Sequence, residues 1–369
     1  MKNKMLAQVL GFTMMAVALV GCGGNTAQSG GAAKTEAAAA KTEAGGGASA
    51  ADDSSKDAGA DASKDLSKAK IALVLPGSID DQSWNASNYA GAKAVEEEYG
   101  MKVDIIESCA VEDFDATFTE FGVKGYDLVI SAGSQFDQAI ANVAPNYPDT
   151  LYTAINGVIS ETENMCPVYP KEYEGSYLAG IIAGYATENG KFATMGGADS
   201  ASMNKCLDCY DVAAIKTATE RGIKGAEARR AYINSWTDIA LTKSTTDQMI
   251  DNGADVAHCY SNEGQSGAVQ SCQDKGIKYV AFAGNKNGEA DCVIASAYAD
   301  FTKLYPWVVN ALLVEGERGY IEAGLAEGVI SVDMTDQCSD ECKAAVEAAS
   351  KEIIAGTINC KDFFSDKAK

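Results

Sequence analysis

The chain has 369 residues, with 52 Asp or Glu against 30 Lys or Arg and a formal net charge of −22. A protein this acidic repels nucleic acid and anionic lipid surfaces, so neither is expected as a partner of the folded part. Its only histidine, His258, lies in Ala-Asp-Val-Ala-His-Cys-Tyr and reads as a buried strand residue, which leaves no base for a Ser-His-acid triad and no His-rich metal site.

In chain order, Lys2 and Lys4 precede an uncharged stretch, Met5 to Val20, of signal-peptide rather than transmembrane length. It ends in Leu19-Val20-Gly21-Cys22, which resembles the bacterial lipobox, where a small residue precedes a cysteine that receives diacylglycerol. Residues 1–21 therefore read as a lipoprotein signal peptide and Cys22 as the lipidation site. The protein is expected outside the cytoplasm, held to the bacterial cell membrane through that lipid alone. Residues 22–67 are almost entirely Ala, Gly, Ser, Thr, Lys, Asp and Glu. They cannot bury enough apolar surface to offset their ordering entropy and are expected to form a disordered tether. No second long apolar run follows.

From Lys68 onward the pattern alternates between strands and helices, the mark of an α/β body with parallel sheets. The apolar run Lys70 to Leu75 predicts a central strand, and Trp84 to Tyr99 a helix with Ala90, Ala94 and Val95 on one side. Strands are expected at 102–106, 128–131 and 151–155, with helices at 113–123 and 136–144. The alternation then restarts with an amphipathic helix over 174–187, whose small-residue face is Gly175, Ala179 and Ala183. Strands follow at 192–195, 228–233, 256–260 and 278–281. Helices are expected at 210–221, from a cap at Asp238 to Asp251, and at 267–274. Residues 292–296 and a helix through Trp307 are expected to return to the first series. The reading is two doubly wound lobes joined by a multi-crossover hinge. The N-terminal lobe takes 68–157 plus about 290–317, and the C-terminal lobe 158–289 plus about 318–369.

Ten cysteines remain after Cys22, including a Cys206-x-x-Cys209 pair and Cys338 with Cys342 one helical turn apart. They read as local structural disulfides or core thiols in preference to a zinc site or redox pair. No metal or cofactor is expected.

In open α/β sheets, ligands bind beyond the carboxyl ends of the strands. The loops at those ends supply the candidate ligand contacts Asp80, Asp81, Trp84, Asn85, Ser134, Phe136, Asp137, Gly197, Asn262, Gly264 and Asn285. Aromatic faces beside carboxylates and amides suit a neutral ring bearing hydroxyls, such as a nucleoside or a sugar. Each residue also has a structural reading. Trp84 can anchor its helix, Asp80 or Asp81 can cap it, Phe136 can pack beneath the cleft, Asp137 can cap, and Trp236 can support a loop. No GxGxxG opens a helix and no GxxxxGK[ST] is present, so dinucleotide and triphosphate cradles are not indicated.

Several of these strings are shared with a known family. The loop Gly77 to Asn85 resembles the D-G-G-x-x-D-x-S-F-N loop of the BMP (basic membrane protein) lipoproteins, and Glu172 to Gly180 is similar to their E-x-E-G-S-F-L-A-G helix. Gly133 to Asp137, Gly196-Gly197 and Asn252 to Val256 extend the similarity, which runs from Lys68 to Tyr320. The resemblance implies periplasmic-binding-protein type I architecture, ABC permease subunits as partners and a purine nucleoside as solute. It sets Trp84 where the family's phenylalanine stacks on the base, with Asp81, Asn85 and Asp137 near the ligand and Ser261 to Gly267 as a second-lobe binding loop. Two family motifs are absent. The Gly-Val-Asp-x-Asp-Gln stretch reads Ala-Phe-Ala-Gly-Asn-Lys at 281–286, and the lysine of T-S-x-x-K is replaced by Ala299.

The leading expectation is a monomeric solute receptor whose lobes close on one small molecule and dock on a permease, with no covalent chemistry. The alternatives are a receptor of the same fold feeding a sensor kinase or chemoreceptor, and an enzyme using Asp80, Asp81 or Asp137 as paired carboxylates.

Overall fold

A computed structural model describes residues 66–81 and 84–369. The expectations for the signal peptide, Cys22 and most of the tether lie outside the described residues. Among those residues, no helix is long and apolar enough to cross a membrane.

The first sheet has four parallel strands, β1 (Ile71–Val74), β2 (Val103–Ile106), β3 (Leu128–Ser131) and β4 (Leu151–Ala154), in the order β2-β1-β3-β4. The three strands β1, β3 and β4 are buried on both faces, so they are runs of apolar residues rather than alternations. Successive side chains point to opposite faces. Ile71, Leu73 and Leu75 enter a cluster with Val95, Leu304 and Tyr305. Ala72 and Val74 enter one with Phe118, Phe136 and Tyr152. The helices covering these faces include α1 (Trp84–Tyr99), α2 (Phe114–Val123) and α3 (Asp137–Val143).

Val95 of the expected apolar side of α1 is buried, Ala90 and Ala94 are half-buried, and Asn85, Asn88, Gly91 and Ala92 are buried as well. The reason is a later helix packed across it. A Cβ on Gly91 would sit 2.7 Å from the Tyr305 ring, and the Tyr305 hydroxyl donates to Asn88 Oδ1 at 2.7 Å. A buried asparagine with a dedicated partner costs little, but it breaks the apolar periodicity.

From β4 the chain crosses through β5 (Val168–Pro170) to α4 (Glu172–Ala186) and a second, six-stranded sheet. That sheet holds β6 (Lys191–Gly196), β7 (Glu227–Tyr232), β8 (Val256–Tyr260), β9 (Lys278–Phe282) and β10 (Val293–Ala299). Between them run α5 (Ala201–Glu220), α6 (Ile239–Asp251) and α7 (Gln265–Lys275). Asp238 caps α6, its carboxylate accepting from Leu241 N at 2.8 Å. The segment 292–296 does not return to the first sheet: β10 pairs parallel with β9. The chain leaves only after Ala299, where Asp300 caps α8 (Phe301–Val309), the helix laid across α1. The third crossing runs through β11 (Ile321–Ala323), parallel to β5, to β12 (Ile330–Met334). β10 runs towards the crossovers, and β12 comes back from them with no helix between β11 and β12. They therefore pair antiparallel, and the second sheet is mixed rather than wholly parallel. The last helix, α9 (Asp340–Ile354), covers α4.

Two helices depart from the sequence reading for the same reason. Helix α4 is buried continuously from Glu172 to Gly184, not amphipathic, because α5, α9 and the sheet enclose it. Helix α5 starts nine residues before the expected Tyr210, with Ser200 as its cap. Its buried Asp208 and Asp211 hide the apolar stripe; both pair with Arg230 of β7. His258 lies wholly in the core, stacked on Tyr210 at 4.1 Å, and burial pushes its pKa down to about 4. Cys109, Cys166, Cys206, Cys209, Cys259, Cys272, Cys292, Cys338, Cys342 and Cys360 are buried thiols.

The approach of α4 to α5 depends on Gly180, where a Cβ would lie 2.3 Å from the Tyr210 carbonyl oxygen. Gly180→Ala is expected to lower the unfolding free energy by about 1–3 kcal/mol, the cost of overpacking a tight interface. Urea denaturation measures it, and an unchanged midpoint would show that the helices can part freely.

Candidate functional site

The carboxyl ends of both sheets face a shared cavity of about 580 Å³. Most wall segments lie at strand ends or helix starts, in keeping with the strand-end rule. From the first sheet come Trp84 and Ser87 of α1, Gly133 to Gln135 after β3, and Asn156 after β4. From the second come Glu172, Ser202 and Met203 at the starts of α4 and α5, Trp236 after β7, Tyr260 and Asn262 at the end of β8, and Ala283 to Asn285 after β9. Tyr298 to Thr302, at the crossover into α8, close the ring.

Each side contributes an indole. Trp84 is fixed by donation from Nε1 to the Ala132 carbonyl at 2.9 Å and by an edge contact with Phe301 at 5.3 Å. Trp236 rests on the bare Cα of Gly197, where a Cβ would approach its ring to 2.6 Å. The polar groups are chiefly acceptors. Asn285 Nδ2 and the Tyr298 hydroxyl both donate to Asp333 Oδ2, at 2.8 and 2.7 Å, while Asn285 Oδ1 accepts from Asn287 N at 2.9 Å. Asn156 is held at φ 64°, a left-handed conformation tolerated by asparagine, and its Oδ1 is buried without a partner. Glu172 is 7% exposed and accepts from the Tyr260 hydroxyl at 2.7 Å. Burial raises its pKa to about 7 against that hydrogen bond. None of the described residues lining the cavity is Lys, Arg or His. Lys286, next to Asn285, is paired with Glu289 at 3.0 Å.

Of the residues expected at the ligand, Trp84, Ser134, Asn262 and Asn285 come together around this cavity; all the others except the exposed Asp80 pack behind or beneath it. Asp81 caps α1: Oδ2 accepts from Asn85 N at 2.8 Å and Oδ1 from Ala86 N at 2.9 Å. Asn85 ties the preceding loop to the helix, its Oδ1 accepting from Gly77 N at 3.1 Å. Asp80 is exposed on that loop. Phe136 is fully buried against Phe114 and Phe118, at centroid distances of 4.3 and 5.8 Å. Asp137 is buried behind the wall, accepting from Val158 N at 2.7 Å, and burial raises its pKa. Gly264 sits under the Trp236 loop, donating to the Trp236 carbonyl at 3.0 Å. Asn156, which follows the expected strand 151–155, lies on the cleft as the strand-end rule predicts, but sequence reading did not select Glu172, Tyr260, Tyr298 and the crossover residues Asp300 to Thr302. Glu172 was visible only as the first letter of a helix motif.

Residues 68–363 match the family model described as Bmp: ABC transporter substrate-binding protein PnrA-like. The chain belongs to this family. It is 26% identical over 274 residues to Basic membrane protein A1 of Borrelia garinii subsp. bavariensis, covering 71% of this chain and 78% of that one. It is 23% identical over 335 residues to the ABC transporter nucleoside-binding protein BmpA of Lactococcus lactis subsp. cremoris, covering 82% and 92%. Among solved structures, solute-binding proteins of ABC transporter systems from Aeropyrum pernix K1 and Conexibacter woesei superpose with TM-scores of 0.66 and 0.65. Identities there are 19% and 18%, over 79% and 80% of this chain and 92% and 100% of theirs. The Bmp chain thus has the periplasmic-binding-protein type I fold, two α/β units built on mainly parallel sheets and joined by crossovers. It is an ABC transporter substrate-binding protein by family.

Phe136→Ala distinguishes a core role from a ligand contact. It is expected to cost about 3–5 kcal/mol of stability, as for other buried aromatic truncations. A variant that melts like the parent protein would return Phe136 to the cleft.

Proposed function

We propose that this Bmp-family chain is the lipid-anchored, extracytoplasmic receptor of an ABC importer, and that it captures a purine nucleoside by closing its two lobes. The observation that carries this reading is the composition of the cavity: an indole from each side, a ring of oxygen acceptors and no cation among the described lining residues. Indole faces bind flat heterocycles, and acceptor oxygens bind hydroxyl and ring N–H groups. A phosphate or carboxylate would be desolvated there with no positive partner. The volume lies within the usual range for small-molecule sites. The Lactococcus lactis relative described as nucleoside-binding supports the solute class. The lipobox-like Leu19-Val20-Gly21-Cys22 supports the anchor.

Capture requires that ligand bind the closed arrangement better than the open one. Ser134 and Trp84 on one side, with Asn262, Asn285 and Trp236 on the other, are the contacts proposed to make that difference. The three crossovers are proposed as the hinge, and the permease is proposed to read the closed form.

The test is a thermal-shift series with nucleosides, free sugars, amino acids and nucleoside monophosphates. Purine nucleosides are expected to stabilise the protein by about 2–3 kcal/mol at a hundredfold excess over Kd. The monophosphates are expected to do nothing. Trp84→Ala should abolish the shift while the unliganded protein still folds. Stabilisation by a sugar or amino acid alone, with nucleosides silent, sinks the nucleoside assignment.

A further inference from the structure

Helix α4 opens with two glutamates in opposite circumstances. Glu174 serves the fold: Oε2 accepts from Leu325 N at 2.8 Å, and Oε1 lies 3.4 Å from Lys171 Nζ. Glu172 is as deeply buried and faces the cavity. The Tyr260 hydroxyl donates to its Oε2, and Oε1 has no hydrogen-bond partner among the described residues. Its carboxylate caps no backbone N–H. A buried carboxyl with an oxygen left open is costly unless something donates to it. Asn156 lines the same cavity, and its side-chain Oδ1 is buried without a partner. The two residues flank one crossover strand, since Asn156 N donates to the Val168 carbonyl at the start of β5 and Glu172 follows its end.

We propose that Glu172 is a ligand-binding, specificity-determining residue whose Oε1 accepts a hydrogen bond from an N–H or O–H of the solute, with Asn156 lining the same end of the cavity. The inference rests on the solute-receptor reading and deepens it. The face of the solute turned to the hinge carries donors, and one bound molecule bridges the residues before and after a crossover. A nucleoside presenting ring N–H, amino or hydroxyl groups satisfies this, and one presenting an anion does not.

The groups around Glu172 come from several elements. Tyr260 of β8, Tyr169 of β5 and Cys206 of α5 face it, all held neutral by burial. The two nearby lysines are engaged elsewhere: Lys171 with Glu174 and Glu327, and Lys205 over the Tyr169 ring at 4.8 Å. The N-terminus of α4 favours the anion, and burial opposes it, lifting the pKa to about 7. A ligand donor favours the ionised carboxylate, so protonation competes with binding as the pH falls.

The experiment is calorimetric titration of the full chain, Glu172→Gln and Glu172→Ala with inosine, guanosine and adenosine, from about pH 8 down to about pH 6. The parent protein is expected to lose affinity several-fold across that range. Glu172→Ala should bind about tenfold or more weakly, the loss expected for a hydrogen bond to a charged group. Glu172→Gln should be weakened and pH-independent, with an unliganded melting temperature near the parent's. Undiminished affinity in Glu172→Ala, or a pH profile retained in Glu172→Gln, overturns the assignment and leaves the receptor reading intact. Absence of binding by the parent protein overturns both. Loss of the melting transition in both variants makes Glu172 a structural residue and overturns it as well.

Discussion

Val168 lies between Ile155 and Ile321, bridged to the first and paired in parallel with the second. This side-by-side placement of chain segments that are remote in sequence is the constraint on which the site depends. It sets the carboxyl ends of both sheets around one space and puts Asn156 and Glu172 within a few residues of the crossing strands. It also decides strand direction, because a chain returning from the crossovers must enter beside β10 antiparallel. Loop residues that would otherwise be scattered over two units share one cavity.

Within that space the energetics are those of desolvated oxygen atoms. Asp333 takes the donors of Asn285 and Tyr298, and the Tyr260 hydroxyl donates a hydrogen bond to Glu172. These bonds orient side chains and leave acceptors facing inwards. In water such oxygens cost nothing, but inside a cavity each is satisfied only when a donor arrives. An acceptor-lined cleft without cations therefore discriminates by what it leaves unpaired as much as by what it binds. The net acidity of the chain points the same way at long range, since it disfavours approach of anions.

The strands were legible because burial on both faces forces continuous apolar runs: β3 and β8 appear at the residues the sequence indicates, and α1 does as well. The asparagines and aspartates were not. Asn88, Asp208 and Asp211 sit inside and look like surface residues in the sequence, because their partners Tyr305 and Arg230 lie far along the chain. The same blindness governed the site. Asp81, Asn85 and Asp137 have the right chemistry and the right loops. Whether a carboxylate turns to a backbone amide or to a ligand depends on which donors tertiary packing brings within reach.

Sequence alone determined the kind of protein: alternating elements, strand-end loops rich in amides and aromatics, and the shared motifs of the Bmp family. Those features are local, written in periodicity and in short strings. The tertiary structure alone decided the rest. It sent β10 to the second sheet, buried Phe136, and turned the first residue of α4 into a cavity-facing carboxyl. Each of these outcomes follows from contacts between distant segments, and the desolvation that gives Glu172 its character exists only once those segments close around it.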